Sequence, residues 1–302
     1  MTVGFLRSLD LLVLFDDHHE TFSTHIIPEA TGMTRITFAL ATVLSLAFTP
    51  LAAQDFSKGL DAYDAGDYAT AIQEWTPLAE AGDVDAQVIL GYMYKNGLGV
   101  LQDYAEAVRW YRLAADQGYA NAQYNLGNMY KNGLGVLQDY AEAVRLYRLA
   151  AEQGVAMAQT NLGLMYKNGH GVLQDYAEAV RWYRLAADQG YANAQYNLGN
   201  MYKNGLGVLQ DYAEAVRLYR LAAEQGVAMA QTNLGYMYEN GYGVLQDNVM
   251  AHMWYNIGAA NGNELGGTNR DNIAEGMTPS DISQAQAMAR ECMGSGYQNC
   301  GY

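Results

Sequence analysis

Among the side chains that can take part in catalysis, only the carboxylates recur in pairs along this chain. Asp139 and Glu142 stand three residues apart, and equivalent pairs follow the same spacing: Asp103/Glu106, Asp175/Glu178 and Asp211/Glu214. Two nearby carboxyl groups can serve as general acid and general base. The same spacing is also that of a capping box, in which both side chains satisfy backbone N–H groups at a helix start. We favour capping, because a helical pattern begins at each pair.

Histidine and serine offer little material for a catalytic site. Three of the five histidines lie in residues 1–32, and only His170 and His252 remain beyond them. His170 occupies a turn position and His252 a helix, so surface placement and packing explain them best. Two isolated histidines make neither a zinc triad nor a nucleophile–base pair, and no serine motif or phosphate-binding loop is present. We therefore expect no catalytic residue, no metal and no cofactor.

The two cysteines, Cys292 and Cys300, are separated by seven residues that include Gly294 and Gly296. In an oxidising compartment an isolated pair of this kind predicts a disulfide that pins the C-terminal tail. On the loop-entropy estimate the bond contributes about 2–3 kcal/mol. A metal site is the weaker interpretation, since no histidine lies nearby in the sequence.

A period of 36 residues decides where all these side chains are placed. The segment Ala105–Tyr140 returns letter for letter as Ala177–Tyr212, and one glycine closes each unit: Gly82, Gly118, Gly154, Gly190, Gly226 and Gly262. Such a period is the signature of stacked supersecondary units. It predicts five full repeats over residues 83–262.

Each repeat carries two helical patterns joined by a glycine-rich turn. In Asn121–Asn132 the apolar residues recur at three- and four-residue spacing: Ala122, Leu126, Met129 and Tyr130. They predict one buried stripe. Gly127 lies inside this helix and suggests close packing against a neighbour, while Gly133 provides the left-handed residue that ends it.

The second helix of a repeat begins at the capping aspartate and presents its own apolar face: Val108, Tyr111, Ala114 and Ala115. Neither helix can bury its stripe alone, so the repeats must stack around one continuous core. The sequence therefore predicts an all-α protein, a right-handed α/α superhelix (solenoid) of helix-turn-helix repeats.

The repeated motif is Ala-Gln-x-Asn-Leu-Gly-x-Met-Tyr-x-Asn-Gly-x-Gly-Val-x-Gln-Asp-Tyr, followed by Ala-x-Ala-x-x-Trp-Tyr-x-x-Ala-Ala-x-x-Gly. It resembles the Sel1-like repeat, a relative of the tetratricopeptide repeat, over the whole of residues 83–262. The resemblance implies a protein–protein interaction scaffold, often extracytoplasmic in bacteria, with no single activity. One departure is a leucine where proline is often found: Leu101, Leu137, Leu173, Leu209 and Leu245. Some cysteine-rich members have been described as acting on β-lactams, but this chain lacks their cysteine pair in every repeat.

The N-terminal region is unrelated to the repeats. From Met33 it shows one arginine, an apolar run over residues 36–51 and then small residues, which predicts a secretory signal peptide in residues 33–53, cleaved after Ala53. Residues 1–32 are interpreted as an upstream extension from a misplaced start; a real extension before a signal anchor is the alternative. We expect a periplasmic or secreted protein with no membrane insertion after the signal is removed.

Two flanking units complete the chain. Residues 54–82 resemble a tetratricopeptide unit, with a helix pair over Phe56–Ala81 that caps the first repeat. Residues 263–302 are expected to form polar capping helices, with Thr278 and Pro279 starting a helix that runs to Met293.

Residues 1–53 hold two of the 17 basic and five of the 32 acidic residues, so the remainder has a net charge near −12. This charge argues against nucleic acid as a partner.

The first helix of each repeat supplies the candidate binding site. By analogy with tetratricopeptide stacking we expect these helices to line the concave face. The predicted partner-binding residues are Tyr124, Asn125, Asn128, Lys131, Asn161, Lys167, Tyr196, Asn197, Asn200, Lys203, Asn233 and Tyr236. Among them Asn125, Asn161, Asn197 and Asn233 form a ladder. An amide both donates to and accepts from a peptide backbone, but these asparagines could equally bond a neighbouring helix.

The functional prediction is a non-catalytic adaptor or regulator that binds a protein or extended peptide of unknown identity in the periplasm. A cell-envelope hydrolase acting on peptidoglycan or a β-lactam is the alternative, and a purely structural spacer is the third possibility. Residues 99–163 and 171–235 are identical, so the recently copied unit is 72 residues long. A ligand of matching periodicity and simple tandem duplication both explain this copy.

Overall fold

The structure is a computed structural model that describes residues 56–301. Within this range the chain forms helices joined by short turns, with no strand. In chain order they are α1 (Phe56–Asp64), α2 (Tyr68–Glu80), α3 (Val84–Asn96), α4 (Tyr104–Asp116), α5 (Ala120–Asn132), α6 (Tyr140–Glu152), α7 (Ala156–Asn168), α8 (Tyr176–Asp188), α9 (Ala192–Asn204), α10 (Tyr212–Glu224), α11 (Ala228–Asn240), α12 (Asn248–Ala260), α13 (Glu264–Ala274) and α14 (Pro279–Gly294). The predicted signal peptide and upstream extension lie outside the described residues.

The repeats stack as the period predicts. Helices α3, α5, α7, α9 and α11 are the first helices of successive repeats, and α4, α6, α8, α10 and α12 are the second helices. Each helix packs against the one before and the one after it in the chain. Their buried faces hold Ala122, Leu126 and Met129 from a first helix and Val144 and Tyr147 from the following second helix. The prediction of an all-α solenoid is confirmed.

Glycine permits the closest approach inside each repeat. A Cβ atom built on Gly127 would lie 2.8 Å from Cε1 of Tyr147, so only glycine lets α6 approach α5 this closely. At the end of α5, Gly133 adopts φ 67° and its N–H donates to the carbonyl of Met129. Both roles of glycine expected from the sequence are confirmed.

The capping interpretation of the acidic pairs is half right. The Asp139 carboxylate accepts hydrogen bonds from the backbone N–H groups of Ala141 and Glu142, as an N-cap should. Glu142 does not complete the box but pairs with Arg145 at 2.7 Å. The backbone N–H of Asp139 already donates to the carbonyl of Tyr130 (3.0 Å), so the glutamate has no donor left to satisfy there.

Buried glutamines join consecutive repeats. Gln159, only 4% exposed, donates to the carbonyl of Ala151 in the preceding repeat and accepts from the side chain of Gln189 (2.8 Å). The same link recurs at each repeat, with Asn261 taking the outer position in the last one. A buried amide is stable only when its hydrogen bonds are satisfied, so this chain of amides also fixes the register between repeats.

The two ends of the described chain differ from the repeats. At the N-terminal end, Trp75 is buried and its indole N–H donates to the carbonyl of Phe56 (3.1 Å). Helix α2 continues through Pro77 as one element. At the C-terminal end, α14 packs on α12 and a disulfide joins Cys292 to Cys300, with the Cα atoms 4.5 Å apart. None of the helices within residues 56–301 combines the length and the apolar character needed to span a bilayer.

Candidate functional site

The histidines do not form a site. His170 is exposed and stacks on Tyr140, with the ring centroids 5.0 Å apart. His252 is 2% exposed within the core of the last repeat, and its Nδ1 has no hydrogen-bond partner. Among residues 56–301, no three histidine, cysteine, aspartate or glutamate side chains are placed to hold a metal ion. The prediction that the chain is not an enzyme stays a prediction.

The predicted partner-binding residues lie on the first helices α5, α7, α9 and α11. We call the surface that these four helices present the first-helix face. All twelve side chains are half-buried except Tyr236, which is 39% exposed. The helices therefore hold these residues at the boundary between the core and the solvent. Their hydrogen bonds separate the asparagine ladder into two classes.

The first class of asparagine is bonded inside the protein. Asn128 Oδ1 accepts from the Tyr147 hydroxyl at 2.7 Å and from the Asn161 amide of the next repeat at 3.3 Å. The ring of Tyr124 lies beside that of Tyr147, with centroids 6.1 Å apart. Burial raises the pKa of the Tyr147 hydroxyl, which therefore stays a neutral donor near neutral pH. Asn128 and Asn161 thus help to join the second repeat to the third.

This arrangement returns 72 residues later. Asn200 Oδ1 accepts from the Tyr219 hydroxyl at 2.8 Å and from the Asn233 amide at 3.2 Å, with Tyr196 beside Tyr219. The copy joins the fourth repeat to the fifth. The duplicated sequence has therefore produced two equivalent inter-repeat clusters.

The second class of asparagine lies at the steps between these clusters. The residue equivalent to Asn128 is Leu164 in the third repeat and Tyr92 in the first, and neither offers an amide acceptor. As a result the buried hydroxyl groups of Tyr183 and Tyr111 have no hydrogen-bond partner. In the described part of the structure Asn197 and Asn125, which follow at these same steps, make no side-chain hydrogen bond either.

The lysines of the first-helix face are placed beside aromatic rings or helix ends. Lys203 Nζ lies 5.7 Å from the centroid of the Tyr236 ring, and burial lowers its pKa. Lys131 and Lys167 occupy the last turns of α5 and α7, where the helix dipole favours a cation. The fifth repeat carries Glu239 at this position, and its carboxylate accepts from the Tyr255 hydroxyl. This position is thus positive in the second, third and fourth repeats and negative in the fifth.

A groove is lined by residues of the second helices α8 and α10 and of the first helix α9 between them. It has a volume of about 380 Å³, lies between α8 and α10, and is lined by Asp188, Arg217 and Leu218 among others. The preceding second helix carries Trp182 where α10 carries the smaller Leu218, and the Trp182 ring is covered by the Arg181 guanidinium at 3.9 Å. The groove offers both signs of charge, with Asp188 and Glu214 beside Arg184 and Arg217.

Sequence reasoning missed the residues that join the repeats. The glutamines were part of the repeated motif, but a glutamine beside an apolar stripe gives no sign of whether it is buried. Arg148 was likewise overlooked: its guanidinium donates to the Tyr166 hydroxyl of the next repeat at 2.7 Å. The available signal was an arginine followed 18 residues later by a tyrosine, a pair that recurs in four repeats.

A family model, the Sel1 repeat, matches five consecutive segments of the chain: residues 84–119, 120–155, 156–191, 192–227 and 228–263. These segments make up more than half of the sequence. The chain belongs to the Sel1 repeat family. Sel1 repeat proteins generally mediate protein–protein interactions and are generally not catalysts.

One solved structure with a high TM-score belongs to the same family. A Sel1 repeat protein from Oxalobacter formigenes is 35% identical, with a TM-score of 0.70, and the match covers 78% of this chain and 97% of that one. A protective antigen of uropathogenic Escherichia coli with an SLR fold is 28% identical, with a TM-score of 0.43 and coverage of 80% and 69%. No curated protein matches this chain.

Proposed function

We propose that this Sel1 repeat protein is an adaptor that binds another protein through its first-helix face. The observation that carries the proposal is the difference between asparagines of identical type and position. The side-chain amides of Asn161 and Asn233 donate hydrogen bonds to Asn128 and Asn200, respectively. Asn125 and Asn197 have no hydrogen-bond partner among the described residues. Half-buried amides without partners on a surface-facing helix are groups that a bound chain can satisfy.

The occupant that fits best is an extended segment of a partner protein. One amide can donate to a backbone carbonyl and accept from a backbone N–H, so recognition would be largely independent of the partner's sequence. Tyr124 and Tyr196 add amphipathic contact area next to these amides. Lys131, Lys167 and Lys203 favour an acidic segment or a terminal carboxylate.

The proposed location is the periplasm or the cell exterior. The disulfide between Cys292 and Cys300 points to an oxidising compartment outside the cytoplasm. The signal-like pattern in residues 33–53 supports export of the chain. An exported scaffold would act as an adaptor or regulator within an envelope assembly.

Site-specific photo-crosslinking in the producing cell tests the proposed face. A photoreactive residue at Asn197 should capture one dominant protein, and the same residue at Asn125 should capture it too. The matched control is Leu185, which is 41% exposed on the second helix α8. Capture from position 185 but not from 125 and 197 would contradict the proposal.

A further inference from the structure

One edge of the solenoid displays a regular row of apolar side chains. The turn between the two helices of every repeat carries one leucine, and each of these is 91% exposed: Leu101, Leu137, Leu173, Leu209 and Leu245. We call these five residues the leucine row. No leucine of the row contributes to the core, so their apolar surface is unused within the chain. Isolated exposed leucines are ordinary, but five at one structural position form a repeated feature.

The turns hold the leucines in fixed positions. Next to Leu137, the Gln138 amide donates to the carbonyl of Lys131 at 2.8 Å, and the Asp139 N–H donates to the carbonyl of Tyr130 at 3.0 Å. Gly133 and Gly135 adopt φ angles of 67° and 69° that shape the same turn. Since the other turns repeat these bonds, the leucines are presented at a nearly constant step.

Four of the five leucines lie between opposite charges, and Leu245 lies between two acidic residues. The last turn of the first helix carries a lysine on one side of the row: Lys95, Lys131, Lys167 and Lys203, with Glu239 in the fifth repeat. The N-cap of the second helix carries an aspartate on the other side: Asp103, Asp139, Asp175, Asp211 and Asp247. The row is therefore flanked by four lysines and six carboxylates, with the lysines on the first helices and the aspartates on the second helices.

We propose that the leucine row is a self-association surface that joins two copies of this chain in parallel. A partner that covers the row must offer apolar sites at the same step, and a second copy has that step by construction. A two-fold axis along the row places each leucine against its own counterpart. In the first four repeats the same axis sets the lysine side of one copy against the aspartate side of the other, whereas in the fifth repeat it sets Glu239 against Asp247. An antiparallel pairing would set lysine against lysine.

Sedimentation velocity of the full chain and its variants tests this association. The wild-type chain should sediment as a dimer at micromolar concentration. The triple variant Leu137→Gln/Leu173→Gln/Leu209→Gln should show a dissociation constant at least about 100-fold higher, because six buried leucines are lost per dimer. The control triple variant Leu113→Gln/Leu149→Gln/Leu185→Gln changes leucines of the second helices that are 36–41% exposed. It should dimerise like the wild type.

Disulfide trapping tests the parallel register. Leu137→Cys and Leu209→Cys should each form a covalent dimer with themselves under mild oxidation. In an antiparallel register centred on Leu173, neither variant would form a covalent dimer with itself. A mixture of Leu137→Cys and Leu209→Cys would form one. A monomeric wild-type chain, or a triple leucine variant that dimerises normally, would overturn the proposal. The proposal would also be overturned if the wild-type chain is monomeric and binds phosphatidylcholine vesicles through the leucine row. The row would then be a lipid-binding surface.

Discussion

At the scale of single residues, identical sequence does not mean identical chemistry. Asn161 and Asn197 occupy the same repeat position, yet Asn161 donates to Asn128, whereas the residue equivalent to Asn128 in the repeat before Asn197 is Leu164, which cannot accept. The difference is set by one residue in the preceding repeat. The inter-repeat steps therefore alternate between a satisfied polar cluster and an unsatisfied one.

Exchanging the acceptor residue should convert one kind of step into the other. Asn128→Leu removes the acceptor of both Tyr147 and Asn161, and it should cost about 1–3 kcal/mol of unfolding free energy, because two partly buried donors are left unpaired. The reverse change, Leu164→Asn, offers an acceptor to Tyr183 and Asn197 and should stabilise the chain by about 1 kcal/mol. Urea denaturation of both variants measures the two effects. Equal changes of the same sign would contradict this interpretation.

The unpaired His252 predicts a loss of stability in acid. Burial, and next the positive charge of Arg270, lower its pKa, while Asp271 acts in the opposite direction. The unfolded chain, with a histidine pKa of about 6.5, therefore binds more protons than the folded chain just below that pH. The free energy of unfolding should fall as the pH drops below about 6.5 and level off below the folded pKa.

Replacing the histidine isolates its contribution to this slope. His252→Leu should flatten the pH dependence of the melting temperature between pH 7 and the folded pKa. His170→Leu is the control, because that ring is exposed on a turn. If the slope survives in His252→Leu, other groups must cause it.

At the scale of the helices, sequence reasoning succeeded where a pattern has a single physical cause. The glycine ending α5, the aspartate starting α6 and the stripe of Ala122, Leu126 and Met129 were all predicted and are all present. Hydrogen bonds between repeats could not be predicted, because they depend on which residue of one repeat meets which residue of the next. The capping box failed for a different reason, a bond within one repeat: the Asp139 N–H was already bonded to the carbonyl of Tyr130.

The close approach of α5 and α6 predicts an inverted effect of alanine. Gly127→Ala would ordinarily stabilise a helix by about 1 kcal/mol. Here the added methyl lies 2.8 Å from the Tyr147 ring, which Asn128 holds in place, so a net loss of about 1–3 kcal/mol is expected. Thermal denaturation measures the loss.

A second glycine provides the control for this substitution. Gly267 lies within α13, and a Cβ atom there would have Ala259 Cβ as its nearest neighbour at 3.8 Å. Gly267→Ala should therefore show the ordinary gain of up to about 1 kcal/mol. A gain of the same size in Gly127→Ala would show that α5 and α6 can move apart at little cost.

At the scale of the whole molecule, a stack of repeats is stabilised mainly by contacts between neighbours, so its ends need separate protection. The C-terminal tail provides it here. Tyr297 and Asn261 exchange hydrogen bonds of 2.8 and 3.1 Å, and Asn261 in turn donates to the buried Gln231. The tail thus continues the chain of amides that joins the repeats, and the disulfide holds it there.

Removing the disulfide should weaken this end locally. Cys292→Ser/Cys300→Ser is expected to lower the free energy of unfolding by about 2–3 kcal/mol, from the entropy of the freed loop. Hydrogen exchange should become faster in α12 and α14 while α5 keeps its protection. Uniformly faster exchange in all helices would instead indicate that the chain unfolds as one cooperative unit.

The central claim is that the unpaired asparagines of the first-helix face contact a partner protein. Its most direct test is the dissociation constant of the photo-captured partner, measured by titration calorimetry with the wild-type chain and two matched double variants. Asn125→Ala/Asn197→Ala should bind at least about tenfold more weakly with an unchanged melting temperature. Asn161→Ala/Asn233→Ala should have a lower melting temperature, and its dissociation constant should change less than that of the first variant. Unchanged affinity in the first variant would contradict the claim, because these asparagines would then have only a structural role.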